Sequence, residues 1–426
     1  MLIPTEIDRP LNKEKSTLVF SLIAASAVIH TPTQFLERWL NAASVQYGIS
    51  SLNSPPLLYF VNSLRALLFL ISLAALLWIF MRPVLEYASK RKLDFFNRKT
   101  MLGALAVFFS AGILVLPSRL GIMGVGYAEM SKDPFIFRDG SNQIYQRLLL
   151  PALAYFLQFK SPVLYYLFSL LLTFILILCT LLFLRSRDIQ TSYLENLSIA
   201  VSTFIITQFQ SPGYTEQLSI IIILLMVTVP LGLLPKIAGM ALALFAHEVS
   251  ILLIVPVTML YFSKEEKLWG CLVVFVYCAF WLMSFGLDPG KLMAVRTVGG
   301  ESGFAWLTHH PLRELGGIAA SYKLLWIPML LGLSSSAYRK QIILFILPGI
   351  AATMFGVDTS RLMAFGLLAC LTAIVAVKKY TLLPERYLRL LFGLNLCLPS
   401  VYIGLNSGLV YFNGLYQLFY RGIFIQ

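Results

Sequence analysis

This sequence predicts an all-α protein, a polytopic transmembrane helical bundle of about 11 to 13 membrane helices, some short and paired and one lying along the interface. Three observations predict it. Hydrophobic residues make up 58% of the chain, charged residues only 12%, and the mean hydropathy is +0.79, a balance that no water-soluble globule carries. Apolar runs follow one another too closely for a separate globular domain to fit between them, so the 426 residues read as one membrane domain. The Lys and Arg behind the formal net charge of +13 sit mainly in short loops flanking those runs, where they act as orientation signals. No nucleic-acid partner is therefore expected.

Taken in order, Arg9, Lys13 and Lys15 precede an apolar stretch from Thr17 to Ile29, whose Ala25-Ser26-Ala27 imitates a signal cleavage site; we read it as an uncleaved anchor. Membrane helices are expected near 57–82, 101–117, 162–184, 195–209 and 217–234, several of them short, as in bundles that hold an aqueous cavity. The stretch 145–158 is broken by Pro151, too brief to span and amphipathic enough to lie along the interface. Residues 236–262 form either one long helix or a hairpin of two short ones turning at His247-Glu248. The hairpin is preferred, because it makes every basic cluster cytoplasmic: Lys90-Arg91-Lys92, Arg98-Lys99, Arg185 with Arg187, Lys264 with Lys267, Arg339-Lys340 and Lys378-Lys379. Further helices are expected near 322–337, 341–356, 361–377, 386–404 and 407–420. The chain divides into N-terminal helices with a basic cytoplasmic loop (1–100), a central membrane module (101–262) and C-terminal helices with an outer loop at 287–321 (263–426). Cys179, Cys271, Cys278, Cys370 and Cys397 lie in apolar runs without metal-ligand spacing, so buried inert thiols are expected.

The hairpin has a second consequence. Asp139, Glu216, His247-Glu248, the 287–321 loop and Asp358 with Arg361 all fall on the outer side, where one polar pocket would contain them. Ionisable groups at membrane depth are costly and usually functional. Each also has a structural reading. Asp139 either caps the interfacial helix or, clustered with Arg138, Tyr145 and Arg147, does chemistry. Glu216 follows the turn Ser211-Pro212-Gly213 and suits a helix first turn. His247 and Glu248 are adjacent and share a ligand only if the backbone turns there. Asp358-Thr359-Ser360-Arg361 fits an N-cap with an i,i+3 ion pair as well as a ligand site. His309, His310 and Arg313 stand in a loop polar enough for simple solvation, as do Glu129 and Asp133.

Residues 101–262 resemble the GT-C superfamily of membrane glycosyltransferases that use polyprenyl-phosphate-linked sugars. What is similar is the order of parts: a helix preceded by Arg98-Lys99, an outer loop with Asp139, the interfacial run Tyr145-Gln146-Arg147-Leu148-Leu149-Leu150-Pro151, a long helix ending in Arg185-Ser186-Arg187, then short paired helices. The sequence departs from that pattern in having two helices ahead of it and no adjacent acidic pair in the outer loop. The resemblance implies that 101–262 is a GT-C-like catalytic module and maps the family's loop acid onto Asp139.

The residues suit such chemistry. Asp139 would take the acceptor proton as general base. Arg361, Arg296 and Arg313 would grip the lipid phosphate, and Glu216 would face the positively charged sugar of the transition state. Arg138, Tyr145, Arg147, His247, Glu248, His309, His310 and Asp358 complete the expected binding set. No Gly-rich nucleotide loop occurs, which favours a lipid-linked donor. The expected partners are a polyprenyl-phosphate-linked sugar, a glycan, lipid or protein acceptor, and membrane lipids. A divalent metal is left open, with no ligand named. The expected location is a bacterial plasma (inner) membrane, with the active site facing outward. Two alternatives stand beside this reading: a polymerase or ligase of lipid-linked oligosaccharides, and, from another class, a secondary transporter or lipid flippase using His247 and Glu248 as a proton relay.

Overall fold

The computed structural model describes residues 55–90, 98–115, 120, 122–134, 147–284, 303–354, 356, 358–403 and 408–412. The expected N-terminal anchor lies outside them. Within them the chain is overwhelmingly helical, and five helical segments are long and apolar enough to cross a membrane. These are Leu70–Ser89, Arg98–Val115, Pro162–Ser186, Pro311–Gly332 and Thr359–Lys379.

The first helices show why. On α1 (Pro55–Lys90), Leu73, Leu76, Phe80 and Val84 are buried at helical spacing, while Leu64, Leu67, Leu68, Ile71, Trp78 and Leu85 are exposed. A helix apolar on both its packed and its outer face is at home only in hydrocarbon. α2 (Arg98–Val115) repeats the pattern, with Ala104, Val107 and Ala111 inward and Leu102, Phe109 and Ile113 outward.

After α3 (Ile122–Met130), the segment expected at the interface is the eight-residue helix α4 (Leu149–Phe156). It runs inside the protein, with Leu149, Leu150, Pro151, Ala152 and Ala154 buried and only its C-terminal end exposed. Its polar flank is Arg147, which pairs with Glu248. The long α5 (Pro162–Ser186) is capped by the Ser161 side chain, which accepts from the Leu164 amide.

The single helix expected over 195–209 is two, α6 (Tyr193–Ala200) and α7 (Thr203–Gln210), broken where Ser202 takes an extended N-cap backbone. α8 (Glu216–Thr228) stops short of the expected 234, because Pro230 cannot continue it. α9 (Leu233–Ala246) and α10 (Ser250–Tyr261) are separated at His247, whose φ of −157° and ψ of 126° are extended. Lys236 Nζ at the start of α9 lies 3.3 Å from the Tyr261 carbonyl at the end of α10. A straight helix would place those residues ~37 Å apart, so the chain turns back at His247-Glu248 and forms the hairpin.

α11 (Lys264–Ser284) follows. The outer loop expected over 287–321 is helical in its second half, as α12 (Gly303–His309) and α13 (Pro311–Tyr322). α13 continues through a 3-10 turn into α14 (Trp326–Gly332), so this crossing begins well before the expected 322. α15 (Ser336–Thr353), the short α16 (Thr359–Leu362) and α17 (Leu367–Lys379) come next. The last two expected membrane helices are corrected. Residues 385–397 form α18 (Glu385–Cys397), with Leu388, Leu391 and Phe392 buried and Leu390 and Leu394 exposed, and two antiparallel strands follow, β1 (Ser400–Ile403) and β2 (Gly408–Phe412).

α18 with β1 lies beside α6 with α7, and the two interruptions meet. Asn395 donates to Ser198 Oγ at 2.8 Å, and Ser400 Oγ donates to the Val201 carbonyl that the helix break leaves open, at 2.7 Å. Broken backbone inside a bundle is tolerated where side chains satisfy it in this way. Cys179 and Cys370 are buried, but Cys271, Cys278 and Cys397 sit on exposed faces, so the expectation of uniformly buried thiols holds for only two.

The contacts sort the polar groups to two ends. At one, Arg187 reaches the Val227 carbonyl and Tyr261, Lys236 pairs with Glu266, and Lys378 pairs with Glu195 at 2.7 Å and donates to the Gln190 carbonyl. Arg185 meets Thr100 there as well. At the other, Tyr165 donates to the Gly213 carbonyl, two residues before Thr215 and the start of α8. Single cysteines in a cysteine-free background should report this division: Gln190→Cys and Glu265→Cys react with an impermeant maleimide from the same side of sealed vesicles, Lys160→Cys from the opposite side. Labelling of all three from one side would refute it.

Candidate functional site

At the end away from the basic clusters, helix breaks bring together side chains from five separate parts of the chain. Glu216 opens α8, and Thr215 before it makes no side-chain cap. Its position is set by a tight turn: Gly213 has a φ of +108°, and a Cβ there would meet Gly124 Cα on α3 at 2.7 Å. A Cβ on Gly124 would in turn meet the Pro212 carbonyl. Two glycines face to face therefore let the 211–215 turn press against α3 and drive Tyr214, Thr215 and Glu216 into the interior.

The Glu216 side chain is 0% exposed, with Oε1 3.2 Å from His247 Nε2 and 3.4 Å from Arg361 Nε. None of these contacts has hydrogen-bond geometry. Both Glu216 oxygens, His247 Nε2 and Arg361 Nε and Nη1 are buried without a hydrogen-bond partner. His247 Nδ1 accepts from the Val249 amide at 3.2 Å, so the neutral ring carries its proton on Nε2, facing Glu216. The His247 ring also lies 5.6 Å from the Phe365 ring.

Arg361 is held on three sides. Nη2 pairs with Asp358 Oδ2 at 2.8 Å, Nε faces Glu216, and the guanidinium lies 4.2 Å from the centre of the Tyr214 ring. Asp358 makes no side-chain cap on α16 and instead accepts from the Tyr402 hydroxyl at 2.5 Å. β1 fixes α16 through Ser360, whose Oγ accepts from the Ile403 amide at 2.9 Å. Beneath them Thr359 donates to Glu314, which is 0% exposed on α13.

Beside this group stands a second, closed one. Arg147 donates to Glu248 through Nε at 2.7 Å and Nη2 at 2.5 Å, and through Nη1 to the Tyr127 hydroxyl at 3.1 Å. Here every strong donor has an acceptor.

Of the residues expected to form the site, Arg147, Glu216, His247, Glu248, Asp358 and Arg361 come together. His309 and His310 are exposed at the α12–α13 junction, and Arg313 is half-buried one residue before Glu314; the ion pairs and hydrogen bonds described above do not include them. Arg138, Asp139, Tyr145 and Arg296 lie outside the described residues. Three members were not singled out from the sequence: Tyr127, Glu314 and Tyr402. Glu314 was legible in principle, since Glu314, Gly317 and Ser321 fall on one helical stripe and all are buried. Among the described residues no group of three or more His, Cys, Asp and Glu is placed to hold a metal ion. Comparison with protein-family models, with curated proteins and with solved structures finds no match.

The closed pair predicts a stability cycle. Glu248→Leu or Arg147→Leu alone should cost ~3–5 kcal/mol by leaving one buried charge unpaired, and the double replacement should restore most of it. Thermal unfolding in detergent checks this; additive losses would show that the two groups do not act as a pair.

Proposed function

We infer that this protein is a membrane glycosyltransferase, moving a sugar from a polyprenyl-phosphate-linked donor to an acceptor at the extracytoplasmic face. The observation that carries the reading is Glu216 facing Arg361 and His247 in the interior, with hydrogen-bonding capacity left open on all three. A finished structural ion pair resembles Arg147 with Glu248. The Glu216 group resembles one that waits for a partner.

Arg361 keeps Nε and Nη1 available for phosphate oxygens, while Asp358 and the Tyr214 ring fix its plane. Glu216, between a guanidinium and an imidazole N–H, stays a carboxylate and suits charge stabilisation of an oxocarbenium-like sugar better than proton abstraction. His247 has Nδ1 engaged by the Val249 amide, so it offers no free base nitrogen toward Glu216. Asp139, eight residues before Arg147, remains our candidate base. In the step, the acceptor oxygen bonds the anomeric carbon and its proton passes to Asp139. The bond from that carbon to the lipid phosphate oxygen breaks, and its electron pair leaves on the phosphate beside Arg361.

The basic clusters share the opposite end, which by the positive-inside rule is cytoplasmic, and the site then faces outward in a bacterial plasma membrane. A carrier is the second reading, favoured by the two adjoining broken crossings α6–α7 and α18–β1. Against its proton relay, Glu248 has both oxygens engaged by Arg147.

Incubation of nanodisc-embedded protein with a panel of polyprenyl-phosphate sugars tests the proposal. Wild type should give a glycosylated product, and Arg361→Gln and Glu216→Gln should each lower kcat by about 10²–10³. Folded Asp139→Asn with full activity would rule out the base assignment. Proton-coupled uptake in proteoliposomes without any covalent product would replace the enzyme reading with the carrier.

A further inference from the structure

The opposite end of the bundle holds a cavity that the proposed transfer does not use. It measures about 150 Å³ and lies where the ends of α5, α10, α15 and α17 meet, lined by Arg187, Tyr261, Tyr338, Gln341 and Thr372 among others. Cavities for drug-sized ligands run to ~300–1,000 Å³, so this one suits a small group.

Its lining is one-sided in chemistry. Arg187 spends Nη2 on the Val227 carbonyl at 3.1 Å and on the Tyr261 hydroxyl at 3.5 Å, and Nε and Nη1 have no partner among the described residues. Its guanidinium rests against the Phe183 and Tyr261 rings, at 5.4 Å and 6.0 Å from their centres, which orients it. Because Arg187 donates to the Tyr261 oxygen, the phenolic proton is free to point elsewhere. Thr372 is 2% exposed, and its hydroxyl has no hydrogen-bond partner. A threonine inside a helix ordinarily bonds back to the carbonyl four residues earlier, so an orphaned hydroxyl facing a cavity marks a vacancy in the hydrogen bonding.

The lining residues carry donors and no carboxylate. Of the acids near this end, Glu266 is committed to Lys236 at 2.8 Å and Glu195 to Lys378 at 2.7 Å, while Asp188, next to Arg187 in the chain, is exposed and is not among the lining residues. Arg339 and Lys340 follow Tyr338 directly, and Lys378 and Lys379 follow Val375, another lining residue, by one helical turn. A guanidinium with open donors, hydroxyls and an amide, with no carboxylate in the lining, is a receptor for an oxyanion. Basic pockets between membrane helices on the cytoplasmic side take phosphorylated lipid headgroups by the same physics.

We propose that this cavity binds a phosphate group, with Arg187 as its charged anchor and Thr372 and Tyr261 as hydroxyl donors. The group arrives either on an anionic lipid headgroup or as a free phosphate. The site stands on this cavity's own geometry and is read by binding, so it survives or fails separately from the transfer reaction.

Two arms identify the source. Full-length protein in phosphatidylcholine nanodiscs is titrated with inorganic phosphate, with chloride at matched ionic strength as control. Separately, protein in phosphatidylglycerol nanodiscs is compared with protein in phosphatidylcholine nanodiscs. Thermal unfolding is the readout, because a ligand bound only to the folded state raises Tm. One arm should stabilise wild type, and Arg187→Gln should weaken that stabilising ligand by about tenfold or more. Thr372→Val guards against simple misfolding. Without ligand it should be as stable as wild type or more so, since it removes an unsatisfied hydroxyl, and it should still bind more weakly. The proposal is overturned if neither probe raises Tm, if the rise is equal in Arg187→Gln, or if Thr372→Val binds undiminished.

Discussion

The bidentate pair between Arg147 and Glu248 is the constraint on which the rest of this protein depends. It joins residues 101 positions apart, and both side chains are almost fully buried. A carboxylate at the tip of a hairpin inside an apolar bundle cannot stand without a counter-charge, and Arg147 supplies it with two parallel hydrogen bonds. The tip of the α9–α10 hairpin is thereby pinned, and His247, one residue away, is held with its Nε2–H toward Glu216. Release of the pair would free the turn, and with it the geometry of every group that faces Glu216.

The second constraint is length. α5 has 25 residues and is long enough to cross the hydrocarbon, whereas α8 has 13 and at ~1.5 Å per residue covers ~20 Å of a core ~30 Å thick. Both helices run between the same two polar layers. Tyr165 near the start of α5 and Arg187 just past its end bridge the difference, reaching inward to the Gly213 and Val227 carbonyls near the two ends of α8. The Glu216 end of α8 is consequently set inward from the end of α5. Shortened helices therefore create the depth in which a guanidinium and a carboxylate act on each other strongly.

How much of this was legible in the sequence follows from what each signal measures. The all-helical membrane class and the hairpin at His247-Glu248 could be read, because composition and the placement of basic loops report directly on the bilayer. Arg361 with Asp358 could be read as an i,i+3 pair, and it forms. The breaks could not. Val201-Ser202 carries no proline or glycine, and the interruption there is stabilised by Ser400, nearly two hundred residues away. The strands after α18 were hidden for the same reason: Val401, Tyr402 and Ile403 are apolar enough for a membrane helix, and their pairing with β2 and the Ser360 contact to Ile403 show why the backbone is extended. Tyr127 entered the site through the Gly124–Gly213 approach, a contact between distant positions that no local pattern records.

The two adjoining interruptions bear on how the chain is made. α6 and α7 leave the Val201 carbonyl open between them, and Ser400, whose hydroxyl closes it, comes 199 residues later in the chain. The earlier interruption is therefore synthesised long before the group that satisfies it. That contact is one of the last that synthesis makes possible, and α6–α7 reach their final hydrogen bonding only when β1 is in place.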